Sequence, residues 1–231
     1  MSEIKVTKLT DVDLLRKANS FTTGRDSKMS LRRAYASMHS PIRTQLFFIE
    51  MEDIPLFCAS QFVRSKVGVE WWQRSKRTDR GGEDFKQVCK GLSHDIYDII
   101  DGVYGKGIGD EPFEYHEDDD TNLGFIADEI ENLPNQFDRY APTSLAGLFN
   151  AEAIINMSNK RLCNKASSET REIWKEVLNG VFRVDPELYL FCVPPCVSCG
   201  LCREPKPCGY MKTENYKKER ENYLKLFEDG M

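Results

Sequence analysis

Gln61-Phe62-Val63-Arg64-Ser65-Lys66, followed after a short gap by Trp72-Gln73-Arg74-Ser75-Lys76-Arg77, is the stretch that decides how this 231-residue chain is read. Upstream, Asp53 suits a helix N-cap and Pro55 the first turn, where a missing N–H costs nothing. Ile54, Phe57, Cys58 and Phe62 follow at helical spacing and predict a buried stripe. Gln61 and Arg64, three apart, then share a face at the C-terminal end of that helix. The following residues, 67–78, contain Gly68 and two tryptophans and carry no helical stripe. Extended, they turn Gln73, Ser75 and Arg77 to one side and Arg74 and Lys76 to the other. Amide, hydroxyl and guanidinium on one side suit a phosphorylated ligand held through forked donors. Taken alone, these residues fit an exposed basic loop better.

Outward from this stretch the pattern alternates strands and helices. Residues 4–9 and 45–51 read as strands, and 11–18 and 30–37 as helices. Residues 83–104 predict a long helix buried along Phe85, Leu92, Ile96 and Val103 and ended by Gly105. A glycine-rich, then acidic loop follows at 105–122. Further helices are expected at 123–133, 144–162 and 167–179, the last stopped by Gly180. One domain over 1–231 accommodates all of these.

Composition narrows the function. With 40% hydrophobic and 30% charged residues the chain is ordinary for a globular protein, which argues against wholesale disorder. No apolar run approaches membrane-spanning length and no signal layout opens the sequence, so a cytoplasmic protein without a membrane partner is expected. The net charge is −5, yet basic residues gather between Arg25 and Arg80. That balance suits a small anionic ligand better than a long nucleic acid. No Walker loop, dinucleotide fingerprint or HExxH motif is present.

Two separated segments and the tail resemble the flavin-dependent thymidylate synthase family. The opening stretch resembles its signature, an Arg-His-Arg triplet followed by Glu/Gln-x-Ser-x-Arg, with one extra residue in the gap; His39-Ser40-Pro41 and Phe47–Glu50 resemble the approach to it. Asn150-Ala151, Asn156 and Arg161-Leu162-Cys163 resemble the helix that carries the family's essential arginine. Pro195-Cys196, Gly200, Cys202 and Cys208-Gly209 resemble its cysteine-containing end. Together these cover residues 38–78 and 139–209.

The resemblance implies an α/β (α+β) fold, a mixed sheet flanked by helices, assembled as a homotetramer with active sites between subunits. It implies reductive methylation of dUMP at C5 to dTMP, with methylenetetrahydrofolate as carbon donor, reduced FAD as hydride source and NADPH as reductant. Carried over, Gln61, Arg64, Gln73, Ser75, Arg77 and Arg139 hold the nucleotide, and Arg161 sits at the uracil O2 edge as the catalytic cation. His39, Ser40, Lys66, Asn156 and Asn150 fall near flavin and folate, with Arg64 shared. A fixed cation at a uracil carbonyl stabilises charge developing as C5 becomes nucleophilic, while the flavin supplies the hydride. Asn150 and Arg161, eleven residues apart on one helix, share a face.

The chain also departs from the pattern. Its triplet reads Arg64-Ser65-Lys66, Thr78 replaces the motif's final tyrosine, and Glu152 stands where members often have arginine. Lys66 keeps the charge but loses the fork. Two alternatives therefore stay open: a related enzyme modifying C5 of a pyrimidine nucleotide, for instance by hydroxymethylation, and a nucleotide-binding scaffold without flavin chemistry. The tail cysteines Cys192, Cys196, Cys199, Cys202 and Cys208 are expected to be free thiols in a rigid, proline-rich turn, with zinc or an iron–sulfur cluster as the alternative. The Trp71-Trp72 pair is expected to fill an interface rather than to stack on a ligand.

Overall fold

The computed structural model describes residues 3–74, 91–95 and 142–228. The chain divides into two compact units, Met1–Arg74 with Pro142–Met231, and Ser75–Ala141. In the second unit 91–95 is helical, within the helix expected at 83–104, but Leu92 is exposed there and Ser93 is buried. The rest of that helix, the acidic loop and the helix expected at 123–133 lie outside the described residues.

In the first unit, strand β1 (Glu3–Lys8) leads to helix α1 (Val12–Thr23), capped by the Asp11 carboxylate on two backbone N–H groups. Helix α2 (Leu31–Ser37) is capped by Ser30. A 3-10 turn at Ser40–Thr44 precedes strand β2 (Leu46–Pro55), which runs directly into α3 (Leu56–Phe62) and then β3 (Val69–Gln73). Strand β4 (Pro142–Asn150) runs as directly into α4 (Ala151–Arg161). The chain closes with α5 (Ser168–Val184), α6 (Pro186–Tyr189), α7 (Pro195–Cys199) and α8 (Glu214–Glu228).

The sheet order is β1-β2-β4-β3. All its pairings are antiparallel, where a mixed sheet was expected. The helices between β1 and β2 return the chain to the end of the sheet it left, since Lys8 pairs with Phe47, so no parallel crossover arises. Phe47, Ile49 and Met51 of β2 alternate inward with Leu145 and Phe149 of β4. Trp174 of α5 is fully buried against Phe62 and Phe149, and its indole N–H donates to Ser158 at 3.0 Å.

Three expected boundaries move. Asp53 is not a helix cap: β2 continues through it to Pro55, because Ile54 and Pro55 still pair with Thr143 and Pro142. The register shifts between Met51 and Ile54, and Asp53 takes a left-handed φ of 52° at that bulge. The helix expected at 144–162 is a strand up to Asn150, which caps α4 by accepting the Ala153 N–H. Helix α5 runs past Gly180 to Val184, because Gly180 faces the sheet. A Cβ there would lie 2.5 Å from Val6 Cγ2. Gly180→Ala is accordingly expected to destabilise the fold by about 1–3 kcal/mol, read as a lower urea midpoint at unchanged slope.

Candidate functional site

The ends of α3 and α4 meet. Gln61 lies in the last turn of α3 and Arg161 is the last residue of α4. Arg161 Nη2 donates to the Gln61 carbonyl, and its guanidinium stands over the Phe62 ring at 5.7 Å. Its Nε is buried with no protein partner, a donor held out of water without an acceptor. Burial, followed by the charge of Arg64, draws the Arg161 guanidinium below the usual arginine range, and the Cys58 thiol opposes this. Arginine nonetheless stays charged. Two arginines close enough to repel, one with an orphaned donor, form a site that an anion or a carbonyl oxygen completes.

Beneath Gln61 lies a layer that the sequence reading missed. Thr170 of α5, fully buried, donates its hydroxyl to Gln61 Oε1 at 3.2 Å, with Cys58 Sγ at 3.4 Å. The helix carrying Thr170 was expected at 167–179, but the approach of Thr170 to Gln61 depends on the crossing of α3 and α5.

The turn after α3 is held from below. Trp71 Nε1 donates to the Ser65 carbonyl at 2.8 Å, and Trp71 packs edge-on to Phe149 at 4.9 Å. Arg64 and Lys66 on either side of Ser65 are exposed. Gly68 closes the turn at φ 76°, where a Cβ would sit 2.6 Å from the Asn150 side chain. Trp71 thus braces the turn, while Trp72 is 53% exposed beside Phe48.

The remaining expected residues spread over this unit. Asn150 is tied up as the α4 cap and receives the turn through its own N–H, which donates to the Gly68 carbonyl at 2.9 Å. Asn156 is exposed on α4, five residues before Arg161, so the two point about 140° apart. Gln73 is exposed at the end of β3; its neighbour Arg74 pairs with Glu52 at 3.3 Å. His39 precedes the 3-10 turn, half-buried, with Nδ1 buried and without a protein partner, and Ser40 is exposed beside it. Glu152 forms a two-point pair with Arg43, at 2.5 and 3.3 Å. Ser75, Arg77 and Arg139 lie outside the described residues.

The tail cysteines separate. Cys192 is buried in the core, its Sγ 3.4 Å from the Leu188 carbonyl, and burial pushes its thiol up to about 12. Cys199 is exposed and folds back on the Pro195 carbonyl at 2.9 Å. Cys196, Cys202 and Cys208, joined by Cys163, line a cavity of about 400 Å³ closed by Pro194, Pro195, Pro207 and Tyr210. The described cysteines are free thiols, and no group of three or more His, Cys, Asp or Glu side chains among the described residues is placed to hold a metal. No helix among the described residues is long and apolar enough to cross a membrane.

No protein-family model matches the sequence, and no curated protein matches it. Solved structures do. A crystal structure of thymidylate synthase X (ThyX) from Helicobacter pylori with FAD and dUMP is similar with a TM-score of 0.52 at 14% identity, over 84% of this chain and 99% of that one. A second structure of the same flavin-dependent enzyme with FAD and dUMP gives a TM-score of 0.52 at 14% identity, over 83% and 99%. A UMP/dUMP methylase, PolB, from Streptomyces cacaoi bound with 5-Br dUMP gives 0.49 at 14% identity, over 84% and 98%. The agreement with the first two spans nearly their whole length, and the chain has the fold of the flavin-dependent thymidylate synthases.

Proposed function

We propose that this protein binds a deoxyuridine monophosphate and transfers a one-carbon unit to its C5, as a diverged thymidylate synthase using FAD. The observation that carries the reading is the clasp between Arg161 and Gln61, with a buried Nε lacking an acceptor and Arg64 close by. A uracil carbonyl placed there meets a fixed, desolvated cation as negative charge develops on the ring. Gln61, Arg64, Gln73, Ser75, Arg77 and Arg139 hold the phosphate and sugar. Both Helicobacter pylori structures contain FAD and dUMP, which supports the same ligand pair here.

The chain's own residues fit a flavin dinucleotide. Arg64 and Lys66 present two cations on the braced turn, suited to a pyrophosphate. His39 offers an orphaned buried ring nitrogen for a polar edge, with Ser40 beside it. Asn156 faces outward, where a folate or flavin ring would be met. FAD, when bound, supplies the hydride; the protein orients the pyrimidine and stabilises its charge. Methylenetetrahydrofolate as carbon donor, NADPH as reductant, a homotetramer with sites between subunits, and a cytoplasmic setting complete the proposal.

One observation favours a modified chemistry as the second reading. Glu152, where the resemblance calls for arginine, is locked to Arg43, so this corner presents a neutralised pair instead of a free cation. A different carbon donor or product suits such a corner.

Absorbance spectra of the purified protein, with and without added FAD and dUMP, test the proposal. A bound flavin band that shifts on adding dUMP is expected, followed by dTMP formation with methylenetetrahydrofolate and NADPH. Protein that binds dUMP but never FAD would overturn the synthase and leave a nucleotide-binding scaffold.

A further inference from the structure

A side-chain amide can face a ligand with either end, as a donor through its NH2 or as an acceptor through its oxygen. Which end Gln61 presents decides what the site recognises. A chain of hydroxyls behind it settles the question. The Thr170 backbone N–H donates to Ser167 Oγ at 3.3 Å, so Ser167 serves as acceptor for the start of α5. The Ser167 hydroxyl hydrogen then goes to Thr170 Oγ1, 2.6 Å away. Having accepted that hydrogen, the Thr170 hydroxyl turns its own toward Gln61 Oε1 at 3.2 Å and Cys58 Sγ at 3.4 Å. Each hydroxyl has one hydrogen to give, and Gln61 Oε1, which can only accept, fixes the direction of the series from its far end.

The consequence is an amide with a defined polarity. Its oxygen is turned inward to Thr170, and its backbone carbonyl is taken by Arg161. Gln61 Nε2 donates to no group among the described residues, and it is not among the buried atoms that lack a partner. Both of its hydrogens therefore point away from Thr170. Reversing the amide would set its NH2 against the threonine hydroxyl and leave that hydroxyl only the weak Cys58 Sγ acceptor in place of the amide oxygen. At a fully buried threonine that loss is not made good by water.

We infer that Thr170 is a positioning residue which fixes Gln61 as a double hydrogen-bond donor, so that this point of the site accepts only an acceptor group such as a phosphate or carbonyl oxygen. The inference rests on the nucleotide reading above for its ligand, but not for the orientation itself. Thr170 touches no ligand and acts through Gln61 alone. Thr170→Val keeps the shape of the side chain and removes the hydroxyl; Thr170→Ser keeps the hydroxyl.

The test is a calorimetric measurement of dUMP binding to the full-length wild type, Thr170→Val, Thr170→Ser, Gln61→Ala and the Thr170→Val/Gln61→Ala pair. Thr170→Val and Gln61→Ala are each expected to weaken binding about tenfold, with the double variant no worse than Gln61→Ala. Thr170→Ser should stay within about twofold of wild type. A Thr170→Val that binds as wild type, or that weakens the Gln61→Ala background just as much, overturns the inference. If the wild type takes no dUMP, the nucleotide reading falls instead, and the orientation is judged without ligand from the Gln61 side-chain amide in 15N-glutamine-labelled protein. One sharp resonance pair in wild type and Thr170→Ser, but a doubled or broadened pair in Thr170→Val, upholds it; identical spectra in all three overturn it.

Discussion

Arg161→Lys is expected to form product from dUMP about 10²- to 10³-fold more slowly than wild type, the usual cost of losing one aimed donor at a developing charge. Lysine keeps the charge and loses the fork. Arg161 uses Nη2 on the Gln61 carbonyl while its Nε stays unspent; an ammonium on a flexible stem cannot hold that carbonyl and offer a second, fixed donor. The pH profile adds a signature. Burial and Arg64 already draw the guanidinium down, yet arginine remains charged over the working range. The same surroundings act on an ammonium that starts lower, so Arg161→Lys is expected to lose activity as pH rises through a range where wild type is flat. Single-turnover assays across pH measure both effects. Stability should change little, because Gln61 is only half-buried and water replaces the lost donor. A Lys variant with wild-type turnover and a flat profile would remove Arg161 from the chemistry.

The second large effect is on stability. Asp185, 2% exposed, ends α5 and opens α6, and three donors converge on it. Lys8 Nζ lies 2.7 Å and the Tyr35 hydroxyl 2.8 Å from Oδ2, while the Leu188 N–H reaches Oδ1 at 3.0 Å. One carboxylate thereby ties β1, α2 and the α5–α6 corner together. Burial, reinforced by the charge of Asp185, raises the Tyr35 phenol far above its ordinary value, so its O–H donates at every accessible pH. Removing the acid strands a largely buried ammonium, whose side chain is only 18% exposed. Asp185→Ala is expected to cost about 3–5 kcal/mol, and Tyr35→Phe only about 1–2 kcal/mol, as the charge pair survives. Urea denaturation gives both numbers. An Asp185→Ala variant within 1 kcal/mol of wild type would mean that water reaches Lys8.

These two networks differ in how far the sequence revealed them. Arg161 and Gln61 carried a resemblance, and their meeting follows from it. Asp185, Lys8 and Tyr35 carry no local signal, since their partners are separated by 150 and 177 positions. Periodicity located α1, α2 and α5, where one face is clearly apolar and Asp11, Ser30 and Ser167 announce the starts. It failed at 142–150 for a physical reason. Ala146 and Leu148 face outward while Leu145 and Phe149 face inward, so apolar residues sit on both sides and the two-residue alternation is blurred. Gly147 adds to the disguise, being required by the rings of Phe149 and Trp71. Asp53 and Pro55 imitated a helix start because the same residues serve a bulge and a strand end.

The placement of Arg161 and Gln61 at the finishing ends of their helices sets how the site works when empty. Aligned peptide dipoles leave partial negative charge at a helix C-terminus, within reach of its last turn. Arg161 closes α4 and its guanidinium reaches the Gln61 carbonyl in the last turn of α3, so it rests against a negative pole. That pole offsets the repulsion from Arg64 and keeps Arg161 in place before any anion arrives. The opposite arrangement, an anion seated on a helix N-terminus, would draw on backbone N–H groups that no substitution can remove. Here the positive field comes from side chains alone, which leaves recognition open to change by single replacements without disturbing the scaffold.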